Sequence, residues 1–242
     1  MLTTTTPFRR RALLITAAAF ALALILWNVP QLEFIMYPFR LFVTFIHETG
    51  HGLAAIISGG RFVGFQVFES GAGVATTIGG SRALILPAGY LGAALFGAAL
   101  FYIAHTVRSS RLVSLALGIG LALVTILYTG LLTSNFSFVA FFVGLVGAGL
   151  LIWLGRRGSQ DANMLVLNLL AIISGLNAVL DLLFLIGNSG AGLGQVRNDA
   201  AAFSADVAPI LPGSVWAALW ALLALLFLGA AVYYSIIRRW RR

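Results

Sequence analysis

Apolar runs long enough to cross a lipid bilayer recur along the chain. A transmembrane helix needs about 20 consecutive apolar residues. Such runs lie at 12–29, 83–105, 111–132, 136–155, 163–187 and 213–237. The pattern predicts an all-α polytopic membrane protein with about six transmembrane helices. We expect residues 1–242 to form a single integral membrane domain, with 1–11 as a cytoplasmic N-terminal tail.

A seventh apolar segment, 34–58, is interrupted by ionisable side chains. If it also crossed, the arginine-rich ends at 9–11 and 238–242 would lie on opposite sides and could not both be cytoplasmic. Six crossings resolve this conflict if 34–58 is re-entrant or partly inserted; the alternative is that 12–29 does not cross. In either case lipid would not tolerate the polar groups, so this helix is expected among other helices or beside a wet cavity.

The segment that follows, 59–82, has the alternation typical of strands. Val63, Phe65 and Val67 alternate with their neighbours, glycine pairs flank the stretch, and a Ser-Gly pair supplies a turn. These features predict a β-hairpin insertion, whose edge could pair with an extended peptide. The alternative is a glycine-rich connector without a special role.

Composition agrees with a membrane location. Hydrophobic residues make up 60% of the chain and charged residues 9%, and the net charge of +8 comes from arginine. The arginines cluster at the ends of apolar runs, where they would set orientation and meet anionic lipid head groups. We therefore expect the bilayer, and not nucleic acid, as a partner.

Two further features concern the first apolar run and the available chemistry. The first apolar run ends without a small-residue cleavage site, so we expect a retained anchor rather than a signal peptide. The chain contains no cysteine, which excludes disulfides, thiolate nucleophiles and cysteine ligands to zinc. We expect a multi-pass protein of the plasma membrane.

Two histidines and a glutamate in the interrupted segment have the spacing of a zinc site. His47-Glu48-Thr49-Gly50-His51 is the pattern His-Glu-x-x-His. On a helix, residues four apart share a face, so both imidazoles can reach one Zn²⁺ while Glu48 points toward an attacking water. The alternative is a pair of interfacial histidines that only form hydrogen bonds with neighbours.

A hydrolytic zinc site needs a third protein ligand. Asp181 is favoured because it is the only charge inside its apolar run, where an unpaired carboxylate would be costly. Its alternative role is a structural pair with an arginine or with Asn177. Asp199 and Asp206, in a polar loop expected at 188–212, are further candidates that also fit ordinary loop carboxylates or helix caps.

Two other ionisable residues are given lesser roles. His105 stands beside Arg108 at the end of a span and is interpreted as an interfacial histidine rather than a fourth metal ligand. Glu69 lies on the predicted hairpin, where it could meet a substrate.

The stretches "FIHETGHGLAAIISGG" and "RALILPAGYLGAALFGA", with the strand-like segment between them, resemble the M50 metallopeptidases. Within that family the similarity is to the M50B-like branch, which is related to site-2 proteases. It covers most of the chain, most strongly 42–97 and again around 177–206. Gly50 matches the glycine of the family's His-Glu-x-Gly-His motif, which distinguishes it from soluble zincins.

The resemblance implies an intramembrane zinc metalloprotease that hydrolyses membrane-tethered protein substrates. It implies Zn²⁺ held by His47, His51 and an aspartate from a later span, with Glu48 as general base. In site-2 proteases that aspartate is followed by glycine and preceded by a stretch rich in Asn and Pro. Here Leu182 follows Asp181, and no proline precedes it nearby.

Two other functions remain as alternatives: a proteolytically inactive relative and a membrane protein that binds or transports metal ions. A transporter is expected to place polar groups along a path through successive spans. This chain concentrates them on one helix and at Asp181, which favours a single reaction centre.

Overall fold

The computed structural model describes residues 7–131, 135–188, 190, 192–193 and 196–238. The helices are α1 (Pro7–Asn28), α2 (Glu33–Ile57), α3 (Arg82–Thr106), α4 (Ser110–Tyr128), α5 (Phe138–Arg157), α6 (Gln160–Gly187), α7 (Asp199–Asp206) and α8 (Gly213–Val232). The strands are β1 (Arg61–Val67), β2 (Gly73–Ile78), β3 (Gly192–Leu193) and β4 (Val196–Arg197). A short 3₁₀ turn joins α1 to α2, and a π-helical turn, Tyr233–Ile237, prolongs α8.

Six helices in the described part of the chain are long and apolar enough to cross a membrane: α1, α3, α4, α5, α6 and α8. They coincide with the six apolar runs of the sequence, so the expected polytopic helical architecture is confirmed. Helix α2, which carries the His-Glu-x-x-His motif, is not among them. Helix α1 already begins at Pro7, inside the tail expected at 1–11.

The predicted hairpin is also confirmed. Strands β1 and β2 pair antiparallel with Phe65 opposite Ala75, and a bulge interrupts the register between Phe62 and Gly64. Gly71 makes the turn with a φ of 88°, a left-handed conformation that glycine adopts without a steric penalty. This sheet has two strands, so the outer edge of β2 has no strand beside it in the described residues.

Helix α2 lies at the centre of the fold, between α3 and the hairpin. Phe45, which is 1% exposed, packs edge-to-face on Phe65 of β1 at a ring-centroid distance of 4.8 Å. The face that carries Glu48 and His51 is buried as well, whereas large apolar side chains such as Leu150 and Leu226 point outward. Polar groups are therefore collected inside the bundle, and lipid meets apolar surface.

The segment 188–212, expected as a polar loop, contains more structure than its composition indicated. It includes the short β3–β4 ribbon and the eight-residue helix α7. Asn198 caps α7 by accepting a backbone hydrogen bond. Phe203 packs against Trp216 and Trp220 of α8, with ring centroids 4.7 and 5.3 Å away. This aromatic packing holds α7 against the bundle.

Candidate functional site

Helix α2 brings two imidazoles together. His47 and His51 are one turn apart and therefore share a face of the helix. Their rings meet edge-to-face with centroids 4.8 Å apart, and their Nε2 atoms are separated by 3.0 Å. Both nitrogens thus point to one position beside the helix.

The carboxylate of a residue 152 positions further along the chain than His47 lies beside both imidazoles. The Oδ2 atom of Asp199, in the first turn of α7, lies 3.2 Å from Nε2 of His47 and 3.3 Å from Nε2 of His51. Bonds of about 2.0–2.1 Å in a tetrahedral arrangement would separate ligand atoms by about 3.3 Å. The three atoms therefore have the spacing of one face of a zinc tetrahedron, and two nitrogens with one carboxylate oxygen suit that ion.

Neighbouring groups prepare these ligands for a cation. Nδ1 of His51 donates to the carbonyl oxygen of Ile85 at 2.7 Å, which leaves Nε2 free to act as a ligand. Burial alone would raise the pKa of the Asp199 carboxyl, but the imidazoles of His51 and His47 outweigh it and hold that pKa well below its usual range. The ionised form of Asp199 is the form that a metal ion binds.

Two glycines let α3 approach the imidazoles closely. A Cβ atom at Gly89 would overlap the rings of His47 and His51, and one at Gly50 would overlap the carbonyl oxygen of Ala88. The backbone of α3 therefore forms one wall of the site. Any larger residue at these two positions would push the helices apart or displace the rings.

Strand β2 forms the opposite wall, against Glu48. The Glu48 residue is buried, with 4% of it exposed, and Ala75 of β2 lines the cavity beside it. A Cβ atom at Gly73 would overlap the Glu48 carboxylate and the methyl group of Thr44. Glu48 is thus fixed between the strand and the two imidazoles, with which its charge interacts.

These groups line a cavity of about 670 Å³. The edge of β2 borders it on one side, and α3, α6, α7 and the β3–β4 ribbon also contribute to its lining. Asp206, Arg82 and Arg197 also line it; the Asp206 carboxylate is 2.6 Å from Arg82 and 3.9 Å from Arg197. His47 and Glu48 both line this cavity.

The structure distributes the candidate third ligands differently from the sequence-based expectation. The carboxylate beside the imidazoles is that of Asp199, and not that of Asp181, which the sequence favoured. Asp181 lines the same cavity, but its Oδ2 accepts a hydrogen bond from Asn177 at 2.8 Å. This is the structural pairing that the sequence left open for Asp181, and Asp206 is engaged with Arg82.

The other residues singled out from the sequence lie apart from the three ligand atoms. His105 contacts Thr16 through Nε2 at 2.7 Å and Phe101 through Nδ1 at 2.8 Å. The backbone carbonyl of Glu69 accepts a hydrogen bond from Tyr37, and Glu69 is not part of the cavity lining.

Sequence reasoning missed Tyr90. Its ring packs edge-to-face on that of His47 with centroids 4.4 Å apart, and it lines the cavity. It follows Gly89 directly, but the spacing of small residues around it is fully explained by helix packing, so no signal in the sequence pointed to chemistry.

Comparison with known proteins gives one result. The family model described as Peptidase M50B-like matches residues 15–231, which covers α2, the hairpin and α7. No curated protein and no solved structure matches the chain.

Proposed function

The chain belongs to the M50B-like peptidase family, and from that premise we propose that it is a zinc-dependent intramembrane protease that hydrolyses membrane-tethered protein substrates. The observation that carries the proposal is the convergence of His47, His51 and Asp199 on one point, with Glu48 beside them in a cavity. Peptidases of the M50 family are zinc-dependent in general. The sequence-based proposal is thus kept, with Asp199 in the place first given to Asp181.

Water or substrate would occupy the fourth coordination position of the zinc ion. His47, His51 and Asp199 supply three ligands, and a catalytic zinc site keeps its fourth position open. A zinc ion held there would supply Lewis-acid chemistry, which acidifies water and polarises a peptide carbonyl.

Glu48 would move the proton. It would accept a proton from the attacking water as the water oxygen adds to the peptide carbon, and then give that proton to the leaving nitrogen. The C–N bond breaks, and the products are a carboxylate and an amine. Burial between β2 and the imidazoles supports this role, because it fixes the carboxylate in one position.

The outer edge of β2 would hold the substrate. A transmembrane helix has its amides in helical hydrogen bonds, so it must unwind locally before attack. Residues two apart in a strand present their backbone groups at the same edge, so Gly73 and Thr77 share the cavity edge with Ala75. An extended peptide could add there as a third strand.

The cellular setting is part of the same proposal. The six spans and the arginine clusters support contact with a bilayer that contains anionic head groups. We place the protein in the plasma membrane, which cell fractionation would test.

A single reporter experiment tests this function. A protein with one transmembrane helix would be reconstituted in liposomes with wild-type protein or with Glu48→Gln. Wild type should cleave it and lose activity with o-phenanthroline, and Glu48→Gln should keep its zinc while losing cleavage. Full activity in Glu48→Gln would end the protease proposal. Zinc binding without cleavage in wild type would favour an inactive relative or a metal-binding protein.

A further inference from the structure

Tyr90 lines the cavity but has no role in the proton transfer and metal binding proposed for this site. It stands on α3 next to Gly89, where the helix touches both imidazoles. Its ring lies edge-to-face on His47 at 4.4 Å, and its side chain borders the cavity. Tyr90 therefore lines the same cavity as Glu48 and Asp199 and touches His47.

Hydrolysis of a peptide bond is accelerated by a hydrogen-bond donor close to the scissile carbonyl. When water adds to the peptide carbon, negative charge develops on the former carbonyl oxygen, and preorganised donors aimed at that oxygen lower the barrier. Glu48, Asp199 and Asp181 are carboxylates, which cannot donate when ionised. A neutral group beside His47 could donate the hydrogen bond to this oxygen that the ionised carboxylates cannot donate.

Among the described residues that line the cavity, Thr44, Thr77 and Tyr90 carry a hydroxyl group. The Thr44 hydroxyl donates to the carbonyl oxygen of Gly71 at 2.7 Å and is therefore engaged. Thr77 lies on the hairpin strand, opposite Phe62. Tyr90 touches His47, one of the candidate ligands, through its ring.

We propose that Tyr90 is a catalytic residue whose hydroxyl donates a hydrogen bond to the developing oxyanion of the scissile peptide. The hydroxyl keeps its proton throughout, and no bond to Tyr90 forms or breaks. A tyrosine hydroxyl is protonated at neutral pH and is therefore ready to donate. The proposal rests on the proposed peptidase function of the same site.

Removal of one oxygen atom tests the role. Tyr90→Phe keeps the ring on His47 and loses the hydroxyl. Loss of one such donor lowers kcat by about 100- to 1,000-fold in other enzymes, and we expect a loss in that range, with KM changed by less than about twofold. Zinc content and the thermal unfolding temperature should equal those of wild type.

A binding measurement gives a second readout that does not depend on turnover. A phosphinic peptide carries a tetrahedral centre with negatively charged oxygens, whereas the matched amide peptide has the planar ground state. Tyr90→Phe should bind the phosphinic peptide at least about tenfold more weakly than wild type. Affinity for the amide peptide, measured in the Glu48→Gln background so that it is not cleaved, should be unchanged.

Tyr102→Phe is the matched control, because Tyr102 stands on the same helix and is 42% exposed outside the cavity. It should behave as wild type in every assay. Unchanged kcat in Tyr90→Phe, equal weakening for both peptides, or loss of zinc would each overturn the proposal; the last result would make Tyr90 a support for His47. If wild type itself does not cleave, the proposed function fails instead, and the two failures are distinguishable.

Discussion

The Nε2 atom of His47 lies 3.2 Å from Oδ2 of Asp199, although the two residues are 152 positions apart. The contact joins the motif helix α2 to the short helix α7. Because Phe203 holds α7 against the tryptophans of α8, this packing positions the candidate third ligand, Asp199. Tertiary structure thus assembles the candidate site, and the motif supplies two of its three candidate ligand atoms.

The first prediction separates the two aspartates. Asp199→Asn should weaken zinc binding by more than about 100-fold, because even partners outside the ligand set contribute about 10- to 100-fold. Asp181→Asn should stay within about threefold of wild type. A competition titration with a zinc-sensitive dye measures both. A large loss in Asp181→Asn together with normal binding in Asp199→Asn would reverse the assignment.

The second prediction concerns the close approach of α3. Gly89→Ala should displace the imidazoles of His47 and His51 and reduce the bound zinc well below one ion per chain, because the added Cβ would overlap both rings. Gly92→Ala is the matched control on the same helix, where the nearest atom would be Gly50 Cα at 3.4 Å. Metal analysis of purified protein distinguishes them. Full zinc occupancy in Gly89→Ala would show that α3 and the imidazoles can move apart enough to accommodate a methyl group.

The third prediction separates proton transfer from metal binding. Gly73→Ala should push the Glu48 carboxylate away from its position, since the new methyl group would overlap it. We expect zinc content to remain and kcat to fall by about 100-fold, the lower part of the range for a general base. Gly149→Ala, whose Cβ would meet open space, serves as the control. Unchanged kcat in Gly73→Ala would argue against Glu48 as the base in this position.

The fourth prediction tests strand addition at β2. Thr77→Pro removes a backbone N–H from the cavity edge of the strand, whereas Thr77→Val changes the side chain and keeps that N–H. The first variant should raise KM for an extended peptide by about tenfold, in line with one or two lost hydrogen bonds, with zinc retained. The second should leave KM near the wild-type value. Equal KM values in both variants would mean that substrate does not pair with this edge.

Part of this architecture follows directly from the sequence. The six spans are visible because bilayer thickness fixes their length, and the hairpin is visible because β-branched and aromatic residues alternate between glycine pairs. His47, Glu48 and His51 are recognisable because helical geometry alone places them together. These features depend on neighbours within a few residues.

The candidate third ligand, Asp199, could not be identified from the sequence in the same way. Asp181 stood out because a charge in an apolar run is costly, but Asn177 satisfies it locally. Asp199 lies in a segment whose polar composition resembles a loop, and the contact of α7 with α8 through Phe203 and Trp220 is not visible in that composition. Tyr90 depends likewise on the contact between α2 and α3. The positions of Asp199 and Tyr90 depend on contacts between residues far apart in the sequence, and a local sequence pattern does not predict them.

A ligand-resolved metal site tests the central claim most directly. The claim is that one zinc ion is held by His47, His51 and Asp199. The measurement is anomalous diffraction at the zinc absorption edge from crystals of the zinc-loaded protein. We predict a single anomalous peak about 2.0–2.2 Å from Nε2 of both histidines and from a carboxylate oxygen of Asp199. A peak bonded to Asp181 in place of Asp199, or zinc bound away from the two histidines, would contradict the account.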